Sequence, residues 1–214
     1  MINEALSIAI ALTGSYLLGS IPSAYIAGRL RKGLDIRQVG SRNMGAMNVF
    51  YNVGIVSGLS VLAVDIGKGA AAVALARWLG VPLIAEIPIV EMLAGTTAVI
   101  GHSFPVWLKF RGGRGGATLI GVLFFFMPWG IPIGLAIFGL LLLLTRFPTL
   151  SYSLALICFP FVAWLIYHRG DYVAFSSLLL LIPLIRYIPR IKEMRAKSGG
   201  WRRLALRKNL KDRL

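Results

Sequence analysis

One cysteine and two histidines are all the thiol and imidazole groups that these 214 residues contain. Cys158 stands alone in an apolar stretch, so it has no partner for a disulfide or a thiolate metal site and is expected to be a small core residue. HExxH, CxxC and GxSxG are absent. Their absence removes support for helical zinc hydrolysis, dithiol redox chemistry and a serine nucleophile elbow. The glycine-rich stretch FRGGRGGAT at 110–118 lacks the lysine followed by Ser or Thr that a P-loop requires. Acidic residues are scarce, 8 against 23 lysines and arginines, and charged residues make up only 14% of the chain. No internal repeat or low-complexity segment is present, which weighs against a duplicated transporter architecture.

What fills the chain is apolar. Hydrophobic residues reach 57%, too many for the polar remainder to cover a soluble globule of this size. The uncharged run 5–28 exceeds the roughly 20 residues that a helix needs to cross the hydrocarbon core. Glu4 precedes it and Arg29, Arg31 and Lys32 follow, the reverse of a cleavable signal peptide, so the run is expected to stay as a span with its end in the cytosol. Further spans are expected at 53–79, 86–100, 118–126, 131–145, 150–167 and 171–187. Pro128, Trp129, Gly130 and Pro132 divide the apolar stretch 118–145 into two helices joined by a tight turn. With seven spans and the N-terminus outside, every basic residue except Arg77, Arg169 and the intramembrane Lys68 falls on the cytosolic side. Six spans would export the basic tail, against the positive-inside bias.

The expected architecture is therefore an all-α integral membrane protein of seven transmembrane helices, N-terminus outside and C-terminus cytosolic. A single transmembrane domain covers 1–187, with cytosolic loops at 29–52 and 101–117, and a basic cytosolic tail covers 188–214. The net charge of +15 then forms a one-sided layer facing anionic lipids or anionic substrates. Nucleic acid is the weaker partner, because Trp201, Leu204, Leu206 and Leu210 scatter through the tail as in a helix lying on lipid.

Polar residues gather in three places on that side. The first is GSIPSAYIAGR at 19–29 with DIRQVGSRNMGAMN at 35–48, where Ser20 and the small residues let the backbone turn its N–H groups to an anion and Arg37 and Arg42 add charge. An ordinary inter-helix loop has the same composition. The second is DIGKG at 65–69, whose Asp65 and Lys68 share one helix face inside the membrane, either as a structural ion pair or as part of a site. Glu91 is a similar case, and Glu86 belongs to an outer interface. The third is GHSFPVWLKFRGGRGGAT at 101–118, which brings His102, Lys109, Arg111 and Arg114 to a run of glycines leading into a helix. Free N–H groups at a helix start, approached through glycines such as Gly112, Gly113 and Gly115, suit an anion. A flexible basic loop is the competing reading.

GSIP (19–22), DIRQVGSRNMGAMN, DIGKG, GHSFPVWLKFRGGRGGAT and TRF (145–147) together resemble the acyl-phosphate-dependent glycerol-3-phosphate acyltransferases of bacterial membranes. The resemblance implies transfer of a fatty acyl group from acyl phosphate to glycerol 3-phosphate, giving lysophosphatidic acid and phosphate in phospholipid synthesis, with no cofactor or metal. It also implies a plasma-membrane location with the site facing the cytosol, and a soluble acyl-phosphate-producing enzyme as a partner. Under it Ser41, Asn43 and Asn48 line the first loop, the glycines with Arg114 cradle phosphate, and His102 orients a substrate oxygen or acts as a base. Lys68 and Arg111 join Ser20 and Arg37 as further binding candidates. The sequence departs from the family pattern at Arg42, where a glycine is usual, at Met47, Tyr51, Arg114 and Gly116, and in the unrecognisable C-terminal motif within YIPRIKEMRAKSGG. A paralogue with another phosphorylated acceptor or no activity, and a small anion transporter, remain open alternatives at this level.

Overall fold

The computed structural model describes residues 3–146 and 148–198; Phe147 and the tail from 199 onward lie outside the described residues. Among the described residues the regular structure is helical: α1 (Glu4–Gly19), α2 (Ser23–Lys32), α3 (Ala46–Asn52), α4 (Ile55–Trp78), α5 (Ile89–Ser103), α6 (Gly116–Phe126), α7 (Gly130–Thr145), α8 (Pro148–Ala155), α9 (Cys158–Leu165) and α10 (Gly170–Ser198). Among the described residues, five stretches are long and apolar enough to cross a membrane: Glu4–Lys32, Ile55–Trp78, Ile89–Leu108, Pro148–Leu165 and Gly170–Glu193. Gly116–Phe126 and Gly130–Thr145 are shorter apolar helices. At 1.5 Å per residue the first of these is about 16 Å long, roughly half the hydrocarbon thickness.

Two expected single spans are broken, each for a local reason. The run 5–28 is not one helix, because α1 ends at Gly19 and α2 begins only after Pro22. Proline removes an N–H and keeps the preceding Ile21 out of the helical region. The span 150–167 is interrupted between α8 and α9, where Pro160 sits in the first turn of α9, a position that a proline tolerates. The division at Pro128 to Gly130 occurs as the sequence suggests, between α6 and α7. At the other end α10 continues through Pro183 and Pro189, so the 187/188 boundary of the expected tail lies inside a helix.

Helix α4 is the centre of the bundle and packs on α1, α3, α5 and α6. Small residues permit the approach. A Cβ on Gly69 or Gly121 would strike the backbone of Thr118 or Ile66, so α4 and α6 touch main chain to main chain, and Gly19 meets Ala98 in the same way between α1 and α5. Above these contacts Val73, Val99, Leu119, Val122, Leu123 and Phe159 form the main apolar core. The outer surface is apolar as well: Trp78, Leu143, Leu144 and Val56 are between 73% and 81% exposed, which only lipid can cover.

Candidate active site

The charge that a membrane helix can least easily hold is Asp65, fully buried near the middle of α4. One helical turn on, Lys68 donates to Asp65 Oδ1 at 2.8 Å, and Ser23 of α2 donates to the same oxygen at 2.7 Å. Lys68 also donates to the carbonyl of Ile21 at 3.1 Å. That carbonyl also accepts from Ser23 N at 3.0 Å, and because the chain leaves the helix there it has room for the Lys68 ammonium as a second donor. The α1–α2 break thus supplies one partner to Lys68 and, through Ser23, one to Asp65.

The C-terminal end of α5 brings His102 to this pair. Its ring is buried, and Nδ1 stands 3.6 Å from Asp65 Oδ1, too far for a hydrogen bond in this state. Ser20 Oγ lies beside Gly101 and is buried with no hydrogen-bond partner, as are Asp65 Oδ2 and His102 Nδ1. A cluster of acid, base, ammonium and hydroxyl with unspent hydrogen-bonding capacity is what a site for a polar reactant requires.

The glycine-rich segment lies directly over the imidazole. The N–H groups of Gly112 and Gly113 donate to the carbonyls of Ser103 and His102. A Cβ on Gly113 would meet His102 Nε2 and the carbonyl of Met44, so the loop is wedged between α5 and the first polar loop. Gly115, at φ +84°, caps α6 in a conformation that glycine adopts without strain. The free N–H groups of the first turn of α6 follow, and the hydroxyls of Ser103 and Thr118, both fully buried, have no hydrogen-bond partner beside them. From α10, Arg186 donates to the carbonyls of Gly113 (3.2 Å) and Gly112 (3.1 Å) and lies over the Phe104 ring. Arg114 lies over the Tyr187 ring at 4.4 Å, and Arg111 is exposed.

The first loop is shaped by one residue. Asn48 is buried; its Nδ2 donates to the carbonyls of Ile36, Val39 and Asn43, and its Oδ1 accepts from Ser41 N and Asn52 Nδ2. Its amide holds the turn, and the loop meets the glycine segment through Met44. Ser41 and Asn43 remain partly exposed along it. Arg42, where the resembling family has glycine, is left-handed at φ +55°. Arg37 grips Asp35 in a two-pronged pair, its NH2 group 2.7 Å from Oδ2, and lies over the Tyr25 ring. The guanidinium holds the Asp35 carboxyl below its usual 3.8, and the carboxylate in turn raises Arg37. A depressed carboxylate contributes stability that is complete above 3.8 and disappears as pH falls through the lower folded value. Acid titration from pH 5 to 3, followed by limited proteolysis of the 33–45 loop, is therefore expected to show a loosening that Asp35→Asn lacks.

Glu91 and Glu86 play no part in this cluster. Glu91 pairs with Arg77 at 2.8 Å, and Arg77 lies over Phe125. Eleven residues of α5, about 16 Å, separate Glu91 from His102. Glu86 is exposed in the turn before α5. Sequence reasoning gave no weight to Ser23, Ser103, Tyr152 or Arg186. Ser23 and Ser103 lay within the quoted polar stretches without being singled out, Arg186 carried the signal of a cation near the end of an apolar run, and Tyr152 carried none.

Exposed apolar helices around a buried charge cluster, with a loop fit for an anion beside it, suit an integral membrane protein with a polar, negatively charged reactant. The sequence profile of the family described as "Glycerol-3-phosphate acyltransferase" matches residues 9–197. "Glycerol-3-phosphate acyltransferase 2" of Dehalococcoides mccartyi (strain ATCC BAA-2266 / KCTC 15142 / 195) is 54% identical over 214 residues, covering 99% of this chain and 100% of its own length. The glycerol-3-phosphate acyltransferase of Bacillus subtilis (strain 168) is 39% identical over 191 residues, 89% of this chain and 95% of its own. The crystal structure of PlsY (YgiH), an integral membrane glycerol 3-phosphate acyltransferase, in its glycerol 3-phosphate form, superposes with a TM-score of 0.77. It is 28% identical over 90% of this chain and 93% of that one. The chain belongs to the glycerol-3-phosphate acyltransferase family.

Proposed function

We propose that this membrane glycerol-3-phosphate acyltransferase takes its acyl group from an acyl phosphate at a site on the cytosolic side of the bacterial plasma membrane. The observation that carries the proposal is the contact between the glycine segment at the start of α6 and the imidazole of His102, whose other ring nitrogen faces the buried Asp65–Lys68 pair. An acyl phosphate is an activated mixed anhydride, so the protein needs to align two phosphorylated molecules and stabilise their charge, and needs no nucleophile of its own. The first turn of α6, the Ser103 and Thr118 hydroxyls and Arg114 suit the donor's phosphate. Lys68, Ser20 and the first loop with Ser41, Asn43 and Arg37 suit the acceptor's.

With Nδ1 protonated and facing Asp65, His102 Nε2 is left to take the proton of the acceptor hydroxyl. The acceptor oxygen bonds to the acyl carbon, the bond from that carbon to the phosphate oxygen breaks, and phosphate leaves with the electron pair. The step needs no metal or cofactor. A soluble enzyme that makes the donor fits the same side of the membrane, where anionic lipids meet the basic loops.

Purified protein is expected to form lysophosphatidic acid and phosphate from long-chain acyl phosphate and glycerol 3-phosphate, and none from acyl coenzyme A. Product from acyl coenzyme A alone, or uptake of glycerol 3-phosphate into vesicles without product, would reject the donor assignment. Arg114→Ala is expected to lower the rate about 100-fold and Arg114→Lys about 10-fold, since lysine keeps the charge but loses the two-pronged geometry. Seven crossings with the N-terminus outside satisfy the charge bias, with α6 and α7 as the short pair. A cysteine at exposed Lys109, in a Cys158→Ser background, should resist an impermeant thiol reagent applied to intact cells.

A further inference from the structure

We infer that the hydroxyl of Tyr152 is a substrate-binding group, donating a hydrogen bond to a phosphoryl oxygen held at the first turn of α6. Tyr152 stands on α8, a short helix that none of the loop motifs includes. Its phenol reaches across to α6: a Cβ built on Gly116 would collide with the Tyr152 hydroxyl and come within 3.0 Å of the ring. The tyrosine thus occupies the room that a side chain at 116 would take, with its oxygen against the backbone of the first helical residue.

That oxygen is buried and has no hydrogen-bond partner. The Ser103 and Thr118 hydroxyls at the same helix start share this condition, and both side chains are fully buried. A buried hydroxyl left unpaired costs stability, and folded proteins keep few of them. Three around one helix start, beside N–H groups that also lack intrahelical acceptors, call for an oxygen-rich acceptor to be brought in. Phenylalanine would fill the same space without the penalty, so the hydroxyl has to be explained by what it binds. The helix start favours negative charge, and a phenol is protonated at neutral pH and ready to donate. A phosphoryl group, with several acceptor oxygens, answers all three hydroxyls at once. The inference rests on the reading of this loop as the donor's phosphate site.

The test is Tyr152→Phe in the full-length protein, measured beside wild type with acyl phosphate and glycerol 3-phosphate and by thermal melting with inorganic phosphate. Removal of an unpaired hydroxyl is expected to leave the ligand-free melting temperature unchanged or raised. The kcat for lysophosphatidic acid should fall about 10- to 100-fold, the range for a hydrogen bond to a charged group, and the stabilisation by phosphate should shrink. A variant with wild-type kcat and the full phosphate shift overturns the inference. So does a variant whose ligand-free melting temperature falls with its activity, because the hydroxyl would then be structural. A wild-type protein that phosphate does not stabilise also overturns it. If wild type forms no lysophosphatidic acid but shows a phosphate shift that Tyr152→Phe diminishes, the inference stands and the donor assignment falls.

Discussion

Gly113→Ala is expected to reduce acyl transfer at least about 100-fold while the helical bundle stays folded. The added methyl would meet His102 Nε2 on one side and the Met44 carbonyl on the other, so either the imidazole or the first loop has to move. Displacement of a reacting group by about 1 Å is enough for a loss of that order. The bundle core of Val73, Leu119, Val122 and Phe159 does not include this contact. Rate measurement together with far-UV circular dichroism checks the expectation; a folded variant with near wild-type rate would show that the loop is not fixed against His102 during the reaction.

Asp65→Ala is expected to have the largest effect on stability, about 3–5 kcal/mol, because it leaves the Lys68 ammonium buried without its counter-charge. Activity should vanish with it. The charge exchange Asp65→Lys with Lys68→Asp separates two ideas. A pair that mattered only as a pair would be rescued by exchange. Here the surroundings are matched to sign: the Ile21 carbonyl can only accept, and would face a carboxylate at position 68. We therefore expect the exchanged protein to melt no higher than the single variants, as read by thermal denaturation in lipid. Full recovery of stability would mean that Ile21 and Ser23 contribute little to holding the pair.

The parts of this architecture that depend on neighbours in the chain were legible before any coordinates. The apolar runs 53–79 and 131–145 coincide closely with α4 and α7, since a lipid-covered helix is marked by composition alone. Pro128 to Gly130 announced a break. Pro22 and Pro160 stood in runs apolar enough to pass for continuous spans; both breaks have local causes, and only the first is matched by a tertiary contact, the hydrogen bond from Lys68 to the Ile21 carbonyl. Within the site, Asp65 and Lys68 could be flagged because charge in a membrane helix is conspicuous, and His102 because it heads the basic, glycine-rich loop. Asn48 could be flagged as polar, but its role as the hub of its own loop is a matter of three carbonyls converging from residues 36, 39 and 43. Ser23 and Tyr152 look like ordinary helix residues until α2 is seen against α4 and α8 against α6.

Helix α7 has one buried residue, Gly130; Ile131, Ile133 and Ile137 pack partly buried on the main core, while Leu135, Leu140, Leu143 and Leu144 are exposed. Little in the protein reads the order of those side chains. The bilayer, which is indifferent to order, is their main environment, so the constraint on 139–144 is on composition and length. A shuffled GLLLLL segment should pass unnoticed in a growth assay, whereas the same shuffle in α4 would scatter Asp65, Lys68 and Gly69. The helix is accordingly the place to install a fluorophore or a purification handle for single-molecule work, and the place where divergent descendants are expected to spell the same greasy rod in different letters.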